Sequence, residues 1–203
     1  MTPVRALVAL AAVSIALVLQ VSLFPHLALP VVGHGIVPNL VLLVVVAAAL
    51  TRTGAPLFVA AIDPSLADTA AFCAAYEIGL DASANCVVVA GRRADTTTTA
   101  ACLVLASDRA DINKTVRKHL DVRKISFAPT ADAVTQTGME YGGITPVGLP
   151  ADWPVLVDAA VVRRPWLVIG SGLRRSKIAV SGATLAGLPG MTVLELALPS
   201  TAA

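Results

Sequence analysis

Tyr141-Gly142-Gly143-Ile144-Thr145-Pro146-Val147-Gly148, followed by the apolar run Val155-Leu156-Val157-Asp158, is the stretch on which the reading of this chain turns. Two adjacent glycines have no Cβ, so their backbone can take φ > 0 and touch a ligand directly. Pro146 and Pro150 stiffen the loop that follows and carry no amide hydrogen, which leaves the free donors on the glycine side. Such a loop suits a carbonyl, ribose or phosphate oxygen held by main-chain N–H groups. Gly-Gly-x-x-Pro-x-Gly also describes a tight surface turn, and the spacing alone does not separate the two. Gly142 and Gly143 stand as candidate catalytic donors, with Tyr141, Thr145 and Gly148 as candidate substrate contacts.

On either side of this loop, strands and helices alternate irregularly, which predicts an α/β domain with a mixed β-sheet and surrounding helices. Ser65, with Asp68 shortly after it, marks a helix start that Ala67, Ala70, Phe72, Cys73 and Tyr76 continue to Gly79. Cys86 to Ala90 and Ala101 to Ala106 are β-rich, and the polar Gly91 to Thr99 between them reads as the connection of a hairpin. Asp111 to Leu120 is amphipathic, with Ile112, Val116 and Leu120 on one face. Ile125 to Phe127 is a short strand, and Thr130 caps a helix that Gly138 ends. Strands follow at Val155–Asp158, Trp166–Ile169 and Lys177–Val180; Ser181 opens a last helix and Thr192 to Leu196 is a final strand.

Two further positions join the candidate substrate site. Gly170-Ser171-Gly172 is a second glycine turn after a buried strand, which brings in Gly170 and Ser171. Asp158, at the end of its strand, can accept the amides of the glycine loop. His119 is the only histidine after the N-terminal segment and has no Ser or Cys partner nearby, which speaks against a nucleophilic triad. Cys73, Cys86 and Cys102 are odd in number and lack CxxC spacing, so buried free thiols are expected rather than a metal site or disulfides. No metal and no cofactor is predicted.

Five stretches, in order, carry a resemblance: Ala61-Ile62-Asp63-Pro64, Cys86-Val87-Val88-Val89, Gly138 to Gly148, Val155-Leu156-Val157-Asp158 and Val168-Ile169-Gly170-Ser171-Gly172. From about Phe58 to Leu198 the chain resembles the YbaK/ProX family of aminoacyl-tRNA deacylases, the editing domains associated with prolyl-tRNA synthetase. The resemblance implies hydrolysis of the ester bond of misacylated aminoacyl-tRNA, with the acceptor end of tRNA as partner. It implies positioning of water and carbonyl by backbone groups, without a covalent enzyme intermediate.

In that family the position two before the Val-Val core of the first long strand usually holds a lysine at the substrate pocket. Ala84-Asn85-Cys86-Val87 places Asn85 there, a third candidate catalytic residue. The change removes a positive charge and leaves a neutral amide that still donates and accepts. Two readings stay open: an altered but working hydrolase, and a binding module that keeps the acceptor end without turnover. Lys114, beside Arg117 and Lys118, can in principle replace the charge, although a solvated basic helix face is the preferred account.

The charge distribution separates an N-terminal segment from this domain. Between Arg5 and Arg52 there is no Asp, Glu, Lys or Arg, while all 13 acidic residues lie after Arg52. The mean hydropathy of +0.79 therefore averages a lipid-like segment with an ordinary domain of balanced charge. That balance argues against a strongly electrostatic nucleic-acid binder. Ala6 to Phe24 would span ~28 Å as a helix, close to a hydrocarbon core, and Ile36 to Leu50 is a second, shorter run.

Leu19-Gln20-Val21-Ser22-Leu23-Phe24-Pro25 and Val37-Pro38-Asn39-Leu40 resemble the start of the rod-shape-determining membrane protein MreD. The organisation expected is a transmembrane helical hairpin over 1–52, a short junction over 53–57 and the deacylase-like domain over 58–203. Arg5 and Arg52 on one side place the C-terminal domain in the cytoplasm and the chain in the membrane. The MreD-like segment adds cell-elongation membrane proteins as expected partners, and a truncated cell-shape membrane protein as a third function.

Overall fold

Ala100–Leu105 is apolar at every position, the pattern of a strand covered on both faces. In the structure, a computed structural model that describes residues 57–199, each of these residues is at most 3% exposed. The expected membrane hairpin and all but the last residue of the junction lie outside the described residues. Among the described residues no helix is long and apolar enough to cross a membrane.

The elements begin with β1 (Phe58–Ala61), α1 (Thr69–Ala75), β2 (Ala84–Arg93), β3 (Thr96–Leu105) and β4 (Asp108–Ala110). A π-helical turn (Ile112–Val116) leads into α2 (Arg117–His119), followed by β5 (Lys124–Phe127) and α3 (Thr130–Thr137). The remainder is β6 (Val155–Asp158), α4 (Ala159–Val162), β7 (Leu167–Gly170), β8 (Ser176–Val180), α5 (Gly182–Ala186), β9 (Met191–Leu194) and β10 (Ala197–Pro199).

A five-stranded sheet runs in the order β5-β2-β3-β6-β9, antiparallel on the β2 side of β3 and parallel on the β6 side. A three-stranded antiparallel sheet, β1-β8-β7, lies beside it, and β10 pairs with β4. The architecture is the mixed-sheet α/β class expected. Because strand side chains alternate between faces, β3 serves two cores. Leu103 and Leu105 pack with Val157, Ile169, Ile178 and Val180 between the two sheets. Cys102 and Val104 pack on the other face with Ile112, Val116, Leu156 and Leu196. Each fully buried Leu or Ile contributes about 1.5–3 kcal/mol.

Several boundaries differ from expectation for identifiable reasons. The polar Gly91 to Thr99 is not a long connection. Strand pairing continues to Arg93↔Thr96, and Ala94-Asp95 alone make the turn, with Ala94 at φ 51°. The threonines are β-branched and fit a pleated surface, so strand preference prevails over their polarity. Helix α1 starts later than Ser65, because Asp68 caps it by accepting the amides of Ala70 and Ala71. Ser65 belongs to a separate 3₁₀ turn capped by Asp63. Asp111 caps its segment as an N-terminal acid should, but the first turn is π-helical and only Arg117–His119 is α-helical. Gly138 ends α3 in the left-handed region at φ 66°. β1, β4 and β10 are short strands that the sequence pattern did not indicate.

Candidate functional site

Strand β2 pairs with β3 along its whole length but with β5 only from Val89 to Arg92. The edge of its first residues is therefore left without a strand partner. Around that edge lies a cavity of about 270 Å³, bounded by the start of α1, the Tyr141–Ile144 loop and the β7–β8 turn.

Asn85 enters the cavity from β2, and its Oδ1 accepts the Thr69 hydroxyl at 2.6 Å. With the oxygen engaged, the amide nitrogen is the group left to donate. Asp68 lines the same wall; its Oδ1 caps α1. Gly142 sits opposite at φ 79°, where a side chain would be strained, and its amide donates to no acceptor among the described residues.

The Gly142 loop is held by Arg174. One guanidinium nitrogen donates to the Tyr141 carbonyl and the other to the Pro64 carbonyl, each at 2.9 Å. The Arg174 amide donates to Glu140 Oε2 at 2.6 Å, a second hold at the start of the same loop. One arginine thus ties the glycine loop to the turn before α1.

Lys177 on β8 is the buried cation of the cavity. Only 7% exposed, its Nζ donates to the Ala67 carbonyl at 3.0 Å and lies 5.3 Å from the centroid of the Phe72 ring. An ammonium has three donors, and this is its single hydrogen bond among the described residues. Burial pushes its pKa below the ordinary lysine value; the neighbouring Cys73 and Asp68 pull it back up, and Arg174 lowers it further.

Residues 63–188 match the aminoacyl-tRNA editing domain family. This chain belongs to that family. The editing domain has the fold of hypothetical protein APE2540, with a TM-score of 0.65 at 18% identity over 73% of this chain and 96% of the other. A candidate trans-editing enzyme for prolyl-tRNA synthetase superposes with a TM-score of 0.59 at 20% identity, again covering 73% and 96%. A designed epitope scaffold gives 0.59 at 19% identity over the same shares. No curated protein matches the sequence.

Of the residues singled out in the sequence, the editing domain gathers Asn85, Tyr141, Gly142 and Gly170 around the cavity. The others lie elsewhere. The Gly143 amide donates to the Glu140 carbonyl at 2.9 Å, so it is not a free donor, and the residue is outside the positive-φ region. A Cβ there would stand 2.7 to 2.9 Å from the backbone of Leu173. Gly143 is a place where two segments of the backbone touch. Gly170 has the same property, since a Cβ would collide with the Gly143 carbonyl and come within 2.5 Å of that of Ile144.

Asp158 does not hold the glycine loop. Its Oδ1 accepts the Ala160 amide at 2.8 Å, and its Oδ2 accepts those of Leu196 and Ala197 at 2.9 Å each. It joins β6, α4 and the start of β10, because a strand-end carboxylate is taken by the nearest orphan amides. Ser171 is fully buried and bonded to Ser176 and to the carbonyls of Leu173 and Ser176. Thr145 is fully buried with its hydroxyl unpartnered, and its amide points at the Met139 sulfur. Gly148 lines a separate apolar groove of about 190 Å³ with Pro146, Pro189 and Met191. Lys114 is exposed on the π-helical turn, which packs on the face of the large sheet turned away from the small one, so it does not restore the charge missing at Asn85.

The sequence pattern missed Asp68 as a pocket residue, and missed Thr69, Arg174 and Lys177 entirely. A lysine inside the otherwise buried strand Ser176–Val180 was the available signal. The three cysteines are free thiols; burial pushes the pKa of Cys86 and Cys102 up, the latter to about 12, which favours the thiol over the thiolate. Among the described residues there is no group of three or more His, Cys, Asp or Glu arranged to hold a metal ion.

Proposed function

We propose that the editing domain hydrolyses the ester bond of a misacylated aminoacyl-tRNA. The observation that carries this reading is the convergence of Asn85, the unpaired Gly142 amide and Asp68 on one cavity at the open edge of β2. An aminoacyl ester presents a carbonyl oxygen, which needs donors, and an α-ammonium, which needs a carboxylate. Gly142 and the Asn85 amide suit the first and Asp68 the second. Tyr141, 63% exposed at the rim, offers an aromatic face to the terminal adenine. Family membership supports the same substrate class.

The tRNA acceptor end is the partner in this reading. The test is deacylation of proline tRNA charged with alanine or with cysteine. Release of the amino acid above the spontaneous rate supports it, and tight binding without release favours the binding module. The missing charge at Asn85 is what makes that second reading worth testing, because a neutral amide tied to Thr69 stands where the family lysine is usual. We further propose that the uncharged segment between Arg5 and Arg52 anchors the chain in the membrane with this domain on the cytoplasmic side, next to cell-elongation membrane proteins.

A further inference from the structure

We propose that Lys177 is a catalytic residue of this domain, supplying from β8 the positive charge that Asn85 does not supply from β2. The inference rests on the hydrolase reading above and names the group that stabilises its transition state. Both residues line the same cavity, from different strands of different sheets. A charge lost from one wall is thus present on another.

The geometry separates the two cations of the site by role. Arg174 is partly exposed, and its guanidinium is engaged with the Tyr141 and Pro64 carbonyls, so it holds the loop. Lys177 is buried and has a single hydrogen bond, to Ala67, which leaves two donors for a substrate oxygen. A fixed cation in a site with little water acts most strongly on charge that develops during reaction. Lysine burial without a carboxylate partner is also costly, and no ion pair to Lys177 is formed among the described residues. A structural role alone would be served better by an apolar side chain on this strand.

In the reaction, water forms a bond from its oxygen to the ester carbonyl carbon and gives a proton to bulk water. The carbonyl oxygen becomes an oxyanion facing the Lys177 ammonium and the Gly142 amide. Collapse breaks the bond between that carbon and the ribose oxygen, which takes a proton from water. The products are the free amino acid and uncharged tRNA.

The test uses the full-length chain in detergent with alanine- or cysteine-charged proline tRNA. Lys177→Met keeps the length and removes the charge, and should lower kcat/KM by about thirtyfold or more. The double variant Asn85→Lys/Lys177→Met should recover at least about tenfold over Lys177→Met, an effect that loss of a structural contact cannot produce. A folded Lys177→Met with activity within threefold of the parent overturns the inference, and so does a loss that Asn85→Lys fails to repair. Should the parent chain release no amino acid, the hydrolase reading fails by itself. Binding of the non-hydrolysable 3′-alanylamino analogue of adenosine 5′-phosphate then decides about Lys177. Weakening by tenfold in Lys177→Met keeps it as the oxygen-binding cation, and unchanged affinity removes it.

Discussion

The hydroxyl of Thr69 donates to Oδ1 of Asn85 across 2.6 Å, joining the first residue of α1 to the open edge of β2. The bond turns a flexible amide into an oriented donor, because its oxygen is occupied. Thr69→Val removes the hydroxyl and keeps the shape. It should lower the deacylation rate by about three- to tenfold while costing only ~1 kcal/mol of stability, the usual worth of one hydrogen bond. Parallel urea melts and single-turnover kinetics check this, and equal rates for parent and variant would detach Asn85 from the chemistry.

Gly142 and Gly143 are adjacent but should respond differently to alanine. At Gly142, with φ 79°, the new Cβ would lie 3.0 Å from the Arg174 guanidinium at the cavity wall. Strain of about 1–2 kcal/mol is expected, with a much larger loss of activity. At Gly143 the Cβ would press on the Leu173 backbone, which cannot move aside as a side chain can. Destabilisation of ~2 kcal/mol or more is expected there, with activity per folded molecule changed mainly through that packing. Thermal melts and active-site titration of both variants separate the two.

Asp158→Ala should leave substrate affinity alone and cost stability. Three amides lose their acceptor, and those of Ala160, Leu196 and Ala197 are not equally able to reach water, since Leu196 is fully buried. A loss of about 2–4 kcal/mol is expected from a lost cap and an unsatisfied buried donor. A denaturant midpoint unchanged from the parent would contradict this.

The pH dependence follows from Lys177. Its pKa in the folded domain lies below 10.5 because burial disfavours the charged form, against the pull of Cys73 and Asp68 and with the push of Arg174. If the ammonium is the working form, deacylation corrected for the spontaneous rate should fall on a limb centred below 10.5. Between the folded value and 10.5 the unfolded chain binds more protons than the folded one, so this group's contribution to stability rises with pH over that interval. In Lys177→Met both the limb and the rise should disappear. Rate profiles and denaturant titrations from pH 7 upward read the two together.

The full-length chain should sediment with membranes and stay there after a carbonate wash, because the segment between Arg5 and Arg52 has no formal charge to hold it in water. A chain beginning at residue 57 should remain in solution and melt cooperatively, since both cores are built from residues 57–199. Soluble full-length protein after the wash would remove the membrane assignment.

The sequence by itself determined the class of fold and most of its elements. Ala100–Leu105 and Val155–Asp158 are apolar runs of strand length, and Gly138 closes a helix that Thr130 opens; these signals are local and survive in any packing. The glycine loop was legible for the same reason. Which of its residues faces the cavity was not, because Gly142 and Gly143 differ only in what stands opposite them, an open pocket or the Leu173 backbone. Asp158 and Lys177 show the same limit from the two sides. A carboxylate at a strand end was taken by amides 38 and 39 residues away, and a lysine 110 residues from Ala67 came to rest beside it. Contacts at such separations depend on how two sheets and a helix end meet, and no periodicity along the chain encodes that meeting. Tertiary structure alone therefore decided where the charge of this site sits.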